Sequence, residues 1–405
     1  MSHATIAPFS PDPDRDFDIR TTLGLSVEGA AEPGEVLAAT GGIRRGDHDG
    51  WCAAWRSLAE RTAAVAEAAR AGRHSVTAAG AYLRASTYFG VAVNALGALP
   101  DSPELAATFA RQRAAWEAFV ALTPGAGRVD IPFEDGALPG YVFRPAGAAP
   151  DDRLPALVAV NGSDGSLAAL FAVAVSPALK RGYTVLVFDG PGQQSQLFEA
   201  GTTFRPDWEN VLTPVYDFVA TQPGVDASRV GLYGISQGGY WVTRALVFEQ
   251  RFAAAIADPG VLDVSASWTS HLPKSLLTAL DRGETEKFDR EMALGMRFSG
   301  GVARTWEFRA RPYGTTGYAE TLEAVRTYRV TSAEAAGITT PLLITDPEGE
   351  QFWPGQSEQL AADTAGVSTL VRFTAAQGAD GHCEPLARTQ VAQAMFDWLD
   401  TRLGR

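Results

Sequence analysis

The spacing of apolar residues along the chain changes character at two places. Between about Asp49 and Phe119 apolar positions recur every three or four residues, the period of an amphipathic helix. The stretch DGWCAAWRSLAERTAAVAEAARAG carries Trp51, Trp55, Leu58 and Val65 at that spacing and stops at Gly72. SVTAAGAYLRASTYFGVAVNAL predicts a second helix with Ser75 as its N-cap. SPELAATFARQRAAWEAFVAL predicts a third, with Ser102 as cap and Glu104 in its first turn. Ahead of them, the first twenty or so residues are rich in Pro and Asp and are expected to start irregularly.

Past the break at Thr123–Gly127 the runs shorten to strands. VDIPFEDGALPGYVFRP reads as a hairpin turning at Glu134-Asp135-Gly136. LPALVAV, YTVLVFD, RVGLYGI, FAAAIAD, TPLLITD and TLVRFTA then follow as short, continuously apolar runs. Helical segments at Ala168–Lys180, Val211–Thr221, Tyr240–Gln250, Gln356–Thr364 and Pro385–Leu403 separate or follow them. Such alternation predicts an α/β fold, a mostly parallel sheet with helices on both faces. The roughly 80 residues between Asp258 and Pro341 are too long for a simple crossover and read as a helical insertion over the site. The expected organisation is a helical N-terminal region at 1–125 contributing to a cap, a core at 126–258 and 341–405, and a cap insertion at 259–340.

Composition narrows the class. A hydrophobic fraction of 46% over 405 residues is that of a soluble globular protein with a large core. The net charge of −13 argues against nucleic acid or an anionic membrane as partner. No apolar run reaches the roughly 18 to 20 residues of a membrane span, and the opening MSHATIAPFSPDPDRDFDIR lacks the basic and apolar segments of a secretory leader. Cys52 and Cys383, far apart, suggest neither a disulfide framework nor a zinc site. A cytoplasmic protein with reduced thiols, no metal and no cofactor is the expectation.

Candidate chemistry sits where strands end, since ligands of parallel sheets bind beyond the carboxyl ends of the strands. Gly234-Ile235-Ser236-Gln237-Gly238 follows RVGLYGI and precedes a helix, the setting of a nucleophile elbow. A serine hydroxyl needs a base, and the chain has five histidines. His3 is in the N-terminal tail, His48 and His74 sit near helix starts, and His271 falls in the insertion, where it could line a pocket. His382, after the last strand, occupies the position that a serine–acid–histidine order requires. The acid should follow TPLLITD; Glu350 has the offset to turn back toward His382, with Asp346 and Glu348 as alternatives and Asp258 a remoter one. Two N–H groups should form an oxyanion hole, one from Gln237 and the other from Ser163 or Asp164 in the loop NGSDGS. DGPGQQS at Asp189–Ser195 lacks a phosphate-binding spacing and reads as a structural turn.

WCAAWRSLAER, AYLRASTYF, IPFEDGALPGYVFRP, FDGPGQQS, GISQGGYW and GADGHCEP together resemble the α/β-hydrolases related to 2,6-dihydroxypseudooxynicotine hydrolase and to a fungal polyketide-shortening hydrolase. The likeness covers nearly all of the chain beyond its first twenty or so residues. It implies a triad of Ser236, Glu350 and His382, a pocket between sheet and helical cap, a homodimer, and a reaction range extending from esters to carbon–carbon bonds beside a ketone. The family acid is usually Asp, and the turn usually written DGPGQG has Gln194 for its last glycine. A small acyl compound is the expected substrate, with an acyltransferase or cyclase on the same triad as the alternative. Cleaving a carbon–carbon bond calls for a further proton donor, for which Glu348, Asp164, Tyr82 and Arg84 offer suitable side chains. Tyr82, Arg84, Trp241 and His271 are the candidate pocket residues.

Overall fold

In the computed structural model, which describes residues 6–100, 102–149 and 151–404, the strands form one eight-stranded sheet. They are β1 (Ala126–Phe133), β2 (Gly136–Phe143), β3 (Leu154–Val160), β4 (Thr184–Phe188), β5 (Val225–Ile235), β6 (Ala254–Asp258), β7 (Leu342–Pro347) and β8 (Ser368–Phe373). Their order is β1-β2-β4-β3-β5-β6-β7-β8. β1 and β2 are the predicted hairpin, in register from Ala126↔Phe143 to Phe133↔Gly136. β2 also runs antiparallel to β4, and every other pairing is parallel. Strand alternation divides the core: Leu157, Ala159, Val185 and Val187 join one hydrophobic layer, and Val158, Val160, Leu186 and Phe188 join the other.

The first layer is closed by the N-terminal helices α1 (Pro13–Gly24), α2 (Pro33–Thr40), α3 (His48–Ala71), α4 (Ser75–Gly97) and α5 (Leu105–Leu122). Residues 6–12 are irregular, as expected, and α1 then follows as a helix that the apolar spacing does not predict. In PDPD, Asp12 caps the helix by accepting the N–H groups of Asp14 and Arg15, and Pro13 opens it with a preset φ. His3 lies outside the described residues. The caps of α4 and α5 differ from those expected: His74, not Ser75, precedes α4, and Glu104, not Ser102, precedes α5. On α3 the buried stripe runs through Trp51, Trp55, Leu58, Thr62, Ala66 and Ala69, while Val65 is 52% exposed. A strict seven-residue spacing drifts off a 3.6-residue helix within two heptads.

Helices Glu209–Ala220 and Gly238–Leu246 cover the second layer. Six helices between Ala266 and Ala335 then pack on the same side through Trp268, Tyr313, Leu322 and Tyr328. Arg311 ties this group to the end of α4, donating to the carbonyls of Gly97 (3.0 Å) and Leu99 (2.7 Å). Among the described residues no helix is long and apolar enough to cross a membrane.

Candidate active site

β5 ends at Ile235 and the next helix starts at Gly238, so the chain reverses within Ser236 and Gln237. Ser236 adopts φ +57°, a left-handed conformation that costs a non-glycine residue about 1–2 kcal/mol. Its N–H donates to the Asp258 carbonyl at 2.6 Å, anchoring the turn. A Cβ on Gly234 would lie 2.2 Å from the Gly238 carbonyl oxygen, so the turn closes only around glycine.

His382 Nε2 lies 2.9 Å from Ser236 Oγ, and its Nδ1 lies 2.7 Å from Glu350 Oε2. The other Glu350 oxygen accepts the N–H groups of Phe352 (2.8 Å) and Trp353 (3.1 Å). Burial opposes the charge on Glu350, but the His382 ring and these N–H donors hold its pKa below the usual carboxylate value. An ionised Glu350 can only accept, so Nδ1 carries the proton and Nε2 is left to accept from the Ser236 hydroxyl. Phe352 packs edge-on against the imidazole with centroids 4.7 Å apart, and Trp353 lies at 5.6 Å. The other proposed acids have different partners. Asp346 is near Arg372, and Glu348 accepts the N–H of Ala375. Asp258 lies beneath the site, accepting from the hydroxyls of Tyr233 (2.7 Å) and Thr345 (2.9 Å).

The loop after β3 passes beside the serine: a Cβ on Gly162 would stand 2.8 Å from that of Ser236. The turn Asp189–Ser195 buttresses this loop. Gln193 Nε2 donates to the carbonyls of Asn161 and Gly162 at 2.9 and 3.0 Å, and Gln194 reaches the Asp164 carbonyl at 3.4 Å. Among the described residues no acceptor takes the N–H of Gln237 or of Ser163, whereas the Asp164 N–H turns to its own carboxylate.

The proposed pocket residues make their contacts elsewhere. Tyr82 is buried and donates to Glu67 at 2.5 Å, joining α4 to α3. Arg84 donates to Glu35 of α2 at 3.2 Å. Trp241 is fully buried, stacked on Trp208 with centroids 4.3 Å apart. His271 is exposed on a turn. Residue type suggests all four, but large or polar side chains on helices are as readily used to join elements as to meet a ligand. Sequence reasoning also missed the support under His382. Cys383 Sγ lies 3.3 Å from His382 Nε2, and the thiol donates to the Asp258 carbonyl (3.4 Å). Arg388 donates to the Cys383 carbonyl at 2.6 Å and lies near Asp258 and Glu384. Cys383 and Glu384 both have positive φ, and burial raises the pKa of each. The signal in the chain is the Cys–Glu pair directly after the histidine.

Sheet order, elbow and strand-end loops define the α/β-hydrolase fold, and the chain adopts it. Residues 170–292 match the prolyl oligopeptidase family. Hydrolase acrC of Aspergillus aculeatus is 36% identical over 282 residues, 65% of this chain and 66% of that protein. Hydrolase LUC6 of Fusarium sp is 28% identical over 404 residues, 96% of each chain. The crystal structure of 2,6-dihydroxy-pseudo-oxynicotine hydrolase superposes with a TM-score of 0.73 at 20% identity, covering 94% of this chain and 95% of that one.

Proposed function

We propose that the protein is a serine hydrolase that cleaves a small, partly apolar acyl compound, at a carbon–carbon bond beside a ketone or at an ester. The observation that carries this reading is the unbroken hydrogen-bonded chain from Ser236 through His382 to Glu350, at 2.9 and 2.7 Å. On this reading His382 takes the Ser236 proton as Oγ adds to the substrate carbonyl, and Glu350 stabilises the imidazolium. The N–H groups of Gln237 and Ser163 receive the oxyanion. Phe17 and Phe352, both against the His382 ring, suit an apolar substrate. Residues 259–340, with a contribution from the helical region 1–125, cap the site over the core of 126–258 and 341–405. The enzyme acts as a cytoplasmic homodimer.

The enclosure of His382, 3% exposed, also favours a second reading: acyl transfer or cyclisation, which needs water kept from the acyl-enzyme. A fluorophosphonate probe tests the shared mechanism. The wild type should be labelled and S236A should not; equal labelling of both would overturn it. Hydrolysis of p-nitrophenyl esters with added alcohol separates the readings, because transfer diverts the acyl group from acid to new ester.

A further inference from the structure

Asp258 ends β6, between β5, which leads into the Ser236 turn, and β7, which leads to Glu350. Its carbonyl accepts the Ser236 N–H at 2.6 Å and the Cys383 thiol at 3.4 Å. Its carboxylate accepts the hydroxyls of Tyr233 on β5 (2.7 Å) and of Thr345 on β7 (2.9 Å). The nucleophile turn, the strand before the acid and the base loop are therefore tied to one residue, which is fully buried.

Arg388, the first residue of the terminal helix Arg388–Leu403, closes the cluster and is buried with it. It donates to the Cys383 carbonyl at 2.6 Å and to the Tyr233 hydroxyl at 3.3 Å. The same guanidinium lies 3.5 Å from Asp258 Oδ2 and 3.8 Å from Glu384 Oε2. Two carboxyl groups thus face one cation away from water. Burial, with the Asp258 charge beside it, pushes Glu384 well above the usual carboxylate range. A neutral Glu384 leaves one ion pair, Asp258 with Arg388. Such a pair gives little net stability over apolar residues of the same size, so what it holds in place matters more than its own energy.

What it holds is strained. Cys383 and Glu384, consecutive non-glycine residues directly after His382, have φ of +55° and +42°. Left-handed residues of this kind relax unless their surroundings fix them. Relaxation here would rotate the peptide that follows His382 and carry the imidazole with it. The ring's hydrogen bonds to Ser236 and Glu350 orient the ring and leave that backbone free to turn. The Cys383 carbonyl on Arg388, and the Glu384 N–H on the Gly381 carbonyl at 2.8 Å, hold it.

We propose that Tyr233, Asp258 and Arg388 form a positioning cluster that sets the His382 imidazole against Ser236, acting through the Cys383 and Asp258 carbonyls. The inference rests on the serine-hydrolase reading above and deepens it. None of the three is a catalytic residue; each acts through the backbone of the nucleophile turn or the base loop.

The test combines turnover of p-nitrophenyl butyrate with the downfield proton resonance of His382 Nδ1–H, which the bond to Glu350 generates and which H382A identifies by its loss. For R388M, kcat should fall on the order of 100-fold with KM within about threefold, because a misplaced base slows the chemical step and not binding. R388K keeps the charge and a donor, and should recover at least about tenfold of that loss. The resonance should shift or vanish in folded R388M and return in R388K. R388M leaves Asp258 buried without its cation and can fail to fold. Y233F keeps both charges and removes only the hydroxyl that donates to Asp258 and accepts from Arg388. Its kcat should fall about three- to tenfold, the equivalent of one hydrogen bond, with KM unchanged and the resonance displaced. Wild-type kcat and an unmoved resonance in Y233F overturn the proposal. So does a loss in folded R388M that R388K does not recover or that falls mainly on KM. S236A separates this claim from the reading beneath it. If S236A still hydrolyses the ester, the serine-hydrolase reading fails, while the resonance, which needs no turnover, still reports whether the cluster places the imidazole.

Discussion

Two helical regions adjoin the candidate site, and they are built in opposite ways. α4 buries 15 of its 23 residues. Trp116 of α5, 2% exposed, packs edge-on against Tyr141 of β2 at 5.4 Å and lies near Phe119, Phe143 and Phe171. Arg113 of α5 pairs with the buried Asp189 at the turn that buttresses the loop beside Ser236. By contrast, Gly300–Ala310 buries none of its residues, and Thr285–Phe298 buries only Phe288 and Met292. Phe298 is 84% exposed, with Leu294 and Val302 also more than half exposed. One region is part of the folding core. The other joins the second hydrophobic layer through few of its residues, Phe288 and Met292 among them, and is expected to open more readily than the sheet. A hydrolase needs both properties, a fixed nucleophile and base under a cover that admits substrate.

The largest expected effects belong to neither helical region. H382A should lower turnover on the order of 10⁴- to 10⁶-fold, and E350Q on the order of 10³- to 10⁴-fold, measured on p-nitrophenyl esters. If either variant kept a tenth of wild-type turnover, the chemistry would have to be sought outside the strand ends. Next in size is the difference between the two helical regions themselves. W116A should destabilise the fold by about 3–5 kcal/mol in chemical denaturation. F298S should stay within about 0.5 kcal/mol of wild type. Similar losses from both would erase the distinction between core and cover.

Much of this plan is legible in the order of residues alone. Short apolar runs separated by helices define the sheet, since strands buried on both faces leave no polar alternation to confuse the pattern. The hydrogen-bonded set of Ser236, His382 and Glu350 follows from strand ends, where the loops of a parallel sheet converge. The pocket residues are another matter. Tyr82 and Arg84 are joined to Glu67 and Glu35, pairings between helices that one-dimensional spacing cannot reveal. α1 is hidden because Pro and Asp are usually breakers. Here they supply a cap and a first turn, and the helix so formed carries Phe17 to the His382 ring. The Arg388 network is equally invisible, since its members come from β5, β6 and the loop after β8.

The smallest effect sharpens the comparison most, because it concerns one of the ties between the regions. Thr305 Oγ1 lies 3.0 Å from Asp14 across an exposed boundary, its one hydroxyl proton shared between that carboxylate and the Gly301 carbonyl at 3.2 Å. A single hydrogen bond of this kind contributes about 0.5–1.5 kcal/mol, which corresponds to a change of roughly two- to tenfold in an opening equilibrium. T305V keeps the shape and the branching while removing the donor. Amide hydrogen exchange across residues 285–310 should therefore quicken by that factor, with α4 and α5 unchanged. If this region covers the substrate as proposed, the KM for p-nitrophenyl esters should move more than kcat. If exchange in α4 quickened equally, the two regions would open as one unit, and the roof would be part of the core after all.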